Sequence, residues 1–309
     1  MSADTFPASQ ARRGDRPGRR GEGRALLEVV LAMALAGSTV VAGKLLSVRV
    51  PVFLSVELTL LAALAAILPA QIAHRRELKL LGRRELGYML LQAVFGIVLF
   101  RVLTLYGLRF TSALSAGIIT SAAPAIMAVL AASFLREKPG RGAVAGIVLT
   151  VAGVLLINLW GHDAAAGAGS LTGNLLVLGA TICEALLTIF RKRSGGRVGS
   201  VTNTTILVAL SAALMLPFAA ADLRQFSLAR VDAVAWAAIL YYGAVATVLA
   251  YILWGRGALR IPAGRTGIAT AALPLTALVL SALVLGEPLR VVHLAGCSAV
   301  IAGIVVGRK

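Results

Sequence analysis

The sequence predicts an all-α membrane protein whose ten transmembrane helices form two inverted five-helix repeats. Three observations predict it: a composition too apolar for a water-exposed surface, ten apolar runs of spanning length, and a self-similarity at a spacing of 150 residues. Of the 309 residues, 59% are apolar and 14% are charged, and mean hydropathy is +0.89. An ordinary soluble domain carries about 25% charged residues. The shortfall excludes a soluble enzyme, a disordered chain and a secreted disulfide scaffold, and it makes the lipid bilayer the chain's main partner.

The net charge of +17 sits between apolar runs and not along one helix face. It therefore reads as a topology signal, and no nucleic-acid partner is expected. Cys183 and Cys297 both fall inside apolar runs and read as buried reduced thiols.

Residues 1–24 hold six arginines, four glycines and two prolines and are expected to be a disordered cytosolic tail. Ten apolar runs follow: 25–43, 51–73, 86–107, 112–135, 142–160, 172–190, 201–220, 234–254, 262–285 and 289–307. Each approaches the length of about 20 residues that a 30 Å hydrocarbon layer requires of a helix. Short links make neighbours antiparallel, and the lack of period-2 alternation excludes a barrel. With the N-terminus inside, cytosolic segments hold 22 Lys and Arg and outer segments hold six. That asymmetry places both termini in the cytoplasm. The Ala-, Gly- and Arg-rich composition points to a bacterial inner (plasma) membrane.

The repeat emerges when 113–157 is laid on 263–307: 15 of 45 positions are identical without a gap. They include Gly117/Gly267, Thr120/Thr270, Pro124/Pro274, Glu137/Glu287, Gly146/Gly296 and Gly153/Gly303. A weaker match pairs Pro69 with Pro217. The repeats are expected over 25–160 and 172–307. Five spans per repeat is odd, so the halves have opposite orientations. Inverted halves can expose one central site to either side of the membrane in turn.

Charges inside spans are costly and usually functional. Five qualify: Glu28, Glu57, Arg101, Glu184 and Arg265. Arg101 and Glu184 lie deepest and should face an aqueous cavity or each other. Glu57 lies below the outer end of its span, while Glu28 and Arg265 are close enough to the cytosolic boundary to snorkel. Pro124 and Pro274 sit mid-span. Each lacks the N–H that would bond the carbonyl of Thr120 or Thr270, so both are expected hinges. The two threonines either line the site or bond their own helices. Glu137 and Glu287 close two spans and should cap or pair with neighbouring helices. Gly142, Gly146 and Gly153, with Gly296, Gly303 and Gly307, read as helix packing or as a dimer face, so the chain is a monomer or a homodimer. Most aromatics form the interfacial belt, and Tyr242 and Tyr251 lie deeper. The histidines lack metal-ligand spacing, no P-loop or HExxH occurs, and neither metal, cofactor nor enzymatic activity is expected.

These residues resemble the drug/metabolite transporter superfamily, in its ten-helix branch with two EamA-type repeats. The resemblance rests on Gly117 through Gly153 and Gly267 through Gly303: an apolar helix with a central proline, an ending in Leu135-Arg136-Glu137 or Leu285-Gly286-Glu287-Pro288, then a glycine-rich helix. It implies alternating access and export of a small metabolite such as an amino acid. Carried onto this chain, it favours Arg101, Tyr106, Thr120, Glu184, Tyr251 and Thr270 as the cavity lining; Glu57 joins them as a substrate-binding candidate. Members that export aromatic amino acids carry aromatics where this chain has Ser121-Ala122-Ala123 and Ile182-Cys183-Glu184. A zwitterion or other polar solute therefore suits the pocket better. Glu184 is also a candidate for proton coupling. A flippase for a lipid or lipid-linked sugar is the alternative on the same fold.

Overall fold

The computed structural model describes residues 19–134, 140–160, 167–194, 198–257, 260–261 and 269–307, and every regular element among them is helical. Helix α1 spans Arg19–Arg49, with Glu22 in its first turn and Arg49 in its last, each matched in sign to the helix dipole. It begins inside the segment expected as tail; residues 1–18 lie outside the described residues. Pro51 separates α1 from α2, Val52–Ala73. Helix α3 spans Arg83–Phe110 and contains a π segment, Val94–Leu99.

The next apolar run is not one helix. It divides into α4, Ala113–Thr120, and α5, Ala123–Phe134. The break falls just before Pro124, which has no N–H to continue the ladder. At the break the Gly117 carbonyl accepts from the Thr120 and Ser121 hydroxyls, at 3.1 and 2.6 Å. The second repeat breaks at the matching place: Thr270 and Ala271 form a turn before Pro274.

The remaining helices are α6, Arg141–Trp160, α7, Gly167–Arg193, and α8, Ser200–Gln225. Helix α9 runs from Ala233–Leu240 through a second π segment, Tyr241–Leu249, into Ala250–Gly257. Asp232 caps its start by accepting from the Ala235 N–H at 2.8 Å. Helices α10, Ala272–Leu285, and α11, Val291–Val306, complete the chain. Gly286 ends α10 in the left-handed conformation, φ 66°, which glycine adopts without a Cβ penalty.

Seven helical stretches among the described residues are long and apolar enough to cross a membrane; the apolar helices Val144–Leu156, Ala272–Leu285 and Val291–Val306 are shorter. Ten apolar segments are thus present, but only seven reach spanning length among the described residues. Arg136, Glu137 and Arg265 lie outside those residues.

The glycine stripes pack α6 on α11 within one chain. A Cβ on Gly146 would meet the Gly303 carbonyl oxygen at 2.5 Å, and one on Gly153 would meet that of Gly296 at 2.8 Å. Backbones this close leave room only for hydrogen at those positions. The largest buried cluster lies elsewhere, where α2 and α8 pack together with α3 and α9. These are the helices that hold the deepest charge.

Candidate functional site

Arg101 lies one residue beyond the start of the straight part of α3, directly after the π segment, and is 6% exposed. A π turn adds a residue, which re-aims the side chains that follow and is frequent at functional sites. The second π segment, in α9, does the same for the site's other wall. Its widened turn leaves the Tyr242 carbonyl to accept from the Thr247 hydroxyl at 2.7 Å.

The guanidinium of Arg101, just past the first π segment, reaches the second. Arg101 donates to the Thr59 hydroxyl of α2 at 2.7 Å and to the Thr247 hydroxyl of α9 at 2.6 Å. Its carbon stands 4.7 Å from the ring centroid of Tyr242, a cation–π contact. Both hydroxyls pass their own protons to backbone carbonyls, Thr59 to Val56 at 2.8 Å. The threonines are therefore oriented as acceptors toward Arg101. The contact needs α9 close to α2, and Gly243 permits it: a Cβ there would overlap the Thr59 carbonyl. The cluster joins the two repeats, since Thr59 and Arg101 come from the first and Tyr242 and Thr247 from the second.

Glu184 projects from α7. It is half-buried, as is Tyr251 of α9. Tyr242 lies within electrostatic reach of both Arg101 and Glu184, and Tyr251 within reach of Arg101, Glu184, Arg191 and Tyr242. A cation, a carboxylate and two phenols thus border one region. Toward the ends of α7 and the starts of α3 and α8 opens a cavity of about 120 Å³, whose polar lining is Glu85, Arg191, Ser194 and Asn203. Between them α7 presses on α3 where a Cβ on Gly96 would overlap Leu187.

The other sequence candidates fall as follows. Glu57 is buried at 4% exposure in α2, and its Oε2 has no hydrogen-bond partner among the described residues. Tyr106 is half-buried on the same helix as Arg101 and packs against the buried cluster that includes Tyr242. It stands edge-on to Phe53 at 6.0 Å and beneath Arg109 at 5.4 Å. Thr120 is buried, with its hydroxyl on its own helix. The Thr270 carbonyl accepts from Leu273 at 3.1 Å. Pro124 is exposed and Pro274 buried, so the two breaks are alike in sequence but not in surroundings. Glu28 lies 3.8 Å from both Arg24 and Arg260.

Thr59, Thr247 and both π segments escaped the sequence reading. A signal was present. Phe95-Gly96 and Tyr242-Gly243 put an aromatic–glycine pair at equivalent places in the two repeats. Removing the ring under the guanidinium should loosen it: Tyr242→Leu is expected to weaken solute binding several-fold, about 1 kcal/mol, in an equilibrium titration of purified protein.

A buried, hydrogen-bonded cation thus lies at the junction of two similar helical halves. The chain belongs to the EamA-like transporter family, whose model matches residues 23–159 and 171–307, once per repeat. It is a multi-pass membrane protein. It is 36% identical over 283 residues to the uncharacterized transporter YetK of Bacillus subtilis strain 168, covering 91% of this chain and 86% of that one. A probable amino-acid metabolite efflux pump of Salmonella typhimurium is 29% identical over 187 residues, covering 57% and 61%. Among solved structures, a crystal structure matches with a TM-score of 0.65 at 19% identity, over 92% of this chain and 97% of that chain, a likeness of fold.

Proposed function

We propose that the protein is a secondary transporter that carries a small polar metabolite of amino-acid type outward across the inner membrane by alternating access. Ten spans form two inverted five-helix repeats over 25–160 and 172–307, with both termini cytoplasmic. The observation that carries this reading is Arg101, a buried guanidinium hydrogen-bonded to Thr59 of one repeat and Thr247 of the other. A fixed planar cation selects an anionic group by geometry as well as charge. Glu184, across the phenols of Tyr242 and Tyr251, receives the ammonium end of the same solute. The breaks before Pro124 and Pro274, beside Thr120 and Thr270, act as the hinges on which the halves rock. The likeness to a probable amino-acid metabolite efflux pump supports the solute class and the direction.

Flux of a panel of zwitterionic and anionic metabolites through proteoliposomes tests the proposal. Glu184→Gln should lower flux of a zwitterion about tenfold or more, the loss expected of one charge-assisted hydrogen bond. It should leave a monoanion little affected. Equal losses for both solutes would remove Glu184 from the ammonium role. Unchanged pH dependence in this variant would remove proton coupling there.

A further inference from the structure

Far from Arg101, at the end of the molecule that bears Arg49, Thr111 and Asp232, two charged side chains grip the same helix junction. Lys44, on α1, donates from Nζ to the carbonyls of Leu108 at 2.5 Å and Thr111 at 2.7 Å, the last turn of α3. Glu287, just past α10, accepts from the N–H groups of Ala113 at 2.8 Å and Leu114 at 2.8 Å, the first turn of α4. A cation thus sits on the negative end of one helix and an anion on the positive end of the next. Lys44 and Glu287 are also within electrostatic reach of each other. Ser112 already caps α4 through the Ser115 N–H at 3.0 Å, so Glu287 takes the two donors that this cap leaves. The grip joins the repeats: Glu287 belongs to the second, the junction and Lys44 to the first.

The junction lies close to a crossing. Helices α4 and α10 touch where a Cβ on Gly117 would overlap that of Ala277. Gly117 is three residues below Leu114, about 4.5 Å along the helix axis. With the contact at 117/277 as fulcrum, any rocking that parts the ends of α4 and α10 must pull the Glu287 carboxylate off both N–H groups.

We propose that Glu287 and Lys44 form the latch that closes the central site toward the outside, and that its release is the outward-opening step. The proposal rests on the transporter reading above and names how access to that site is controlled.

The test uses full-length protein with Cys183→Ser and Cys297→Ser and a reporter Thr39→Cys, since Thr39 lies beside Tyr242 at the site. A membrane-impermeant maleimide is applied to either face of sided vesicles. The parent should label from the cytoplasmic face and slowly from outside. Glu287→Gln, which keeps shape but loses charge, should raise the outside rate about tenfold, and Glu287→Asp should fall between. Lys44→Met reads the same opening from the other arm, should Glu287→Gln fail to fold. Outside labelling unchanged in a folded Glu287→Gln or Lys44→Met protein overturns the latch and leaves the transporter reading standing. A reporter that labels from neither face in any variant overturns both. A merely structural cap would lower thermal stability without changing the ratio of outside to inside labelling.

Discussion

Arg101→Lys is expected to cut solute flux at least tenfold, and Arg101→Ala to abolish it, with protein still delivered to the membrane in both cases. The guanidinium spends its two terminal nitrogens on separate hydroxyls, 2.7 and 2.6 Å away on helices of different repeats, while its plane rests on Tyr242. A lysine ammonium is a point charge on a flexible stem and cannot hold both threonines and the ring at once. Each hydrogen bond to a charged group contributes about 1.5–3 kcal/mol, so losing one accounts for the tenfold loss. Alanine also removes the only formal positive charge that the sequence places deep in a described span, and with it the attraction for an anionic group. Flux in proteoliposomes at matched protein content reads both variants. Full activity in Arg101→Lys would show that charge alone suffices and that the threonine clamp is irrelevant.

Gly146→Leu is expected to remove most of the folded protein. Helices α6 and α11 approach until a Cβ on Gly146 would lie 2.5 Å from the Gly303 carbonyl oxygen and 2.6 Å from the Gly307 Cα. Both obstacles are backbone, which cannot rotate aside as a side chain can. The two helices must therefore separate, and the dispersion contacts along the seam are lost together. Overpacking of this kind costs about 3 kcal/mol, a large part of a marginal stability. Gly87→Leu is the matched control, because nothing lies within 4 Å of a Cβ there. Size-exclusion profiles and thermal denaturation in detergent should show loss for Gly146→Leu and little change for Gly87→Leu. Equal behaviour of the two would mean that the α6–α11 seam contributes nothing to the fold.

What the sequence made legible follows from which interactions are periodic or punctuated. The apolar runs, the proline breaks and the glycine seam each leave a mark in the chain, because bilayer thickness, a missing N–H and a missing Cβ constrain residue type directly. Arg101 and Glu184 were legible for the same reason: charge is rare where lipid is the solvent. Lys44 lies just past the first apolar run, and nothing in its neighbours names the partner it finds. Helix α1 continues to Arg49, and the lysine turns back onto the carbonyls that end α3. Glu287 could be read only as a cap or an ion-pair partner, since nothing in its neighbours names the helix it caps. Thr59 and Thr247 were invisible, because a threonine in an apolar helix usually bonds its own backbone, and these two do so while also accepting from Arg101. The π segments change hydrogen-bond register without a dedicated residue type, so only the repeated aromatic–glycine pair betrays them. Tyr106 is favoured by the resemblance alone, and its ring packs against Phe53 and Arg109.

The most direct measurement is equilibrium binding of a zwitterionic metabolite to purified protein, wild type beside Arg101→Ala, in the same detergent and at the same fold stability. Saturable binding to the wild type and none to the variant is expected, because the proposed site is built around that guanidinium. Undiminished affinity in Arg101→Ala would place the solute elsewhere and contradict the central claim.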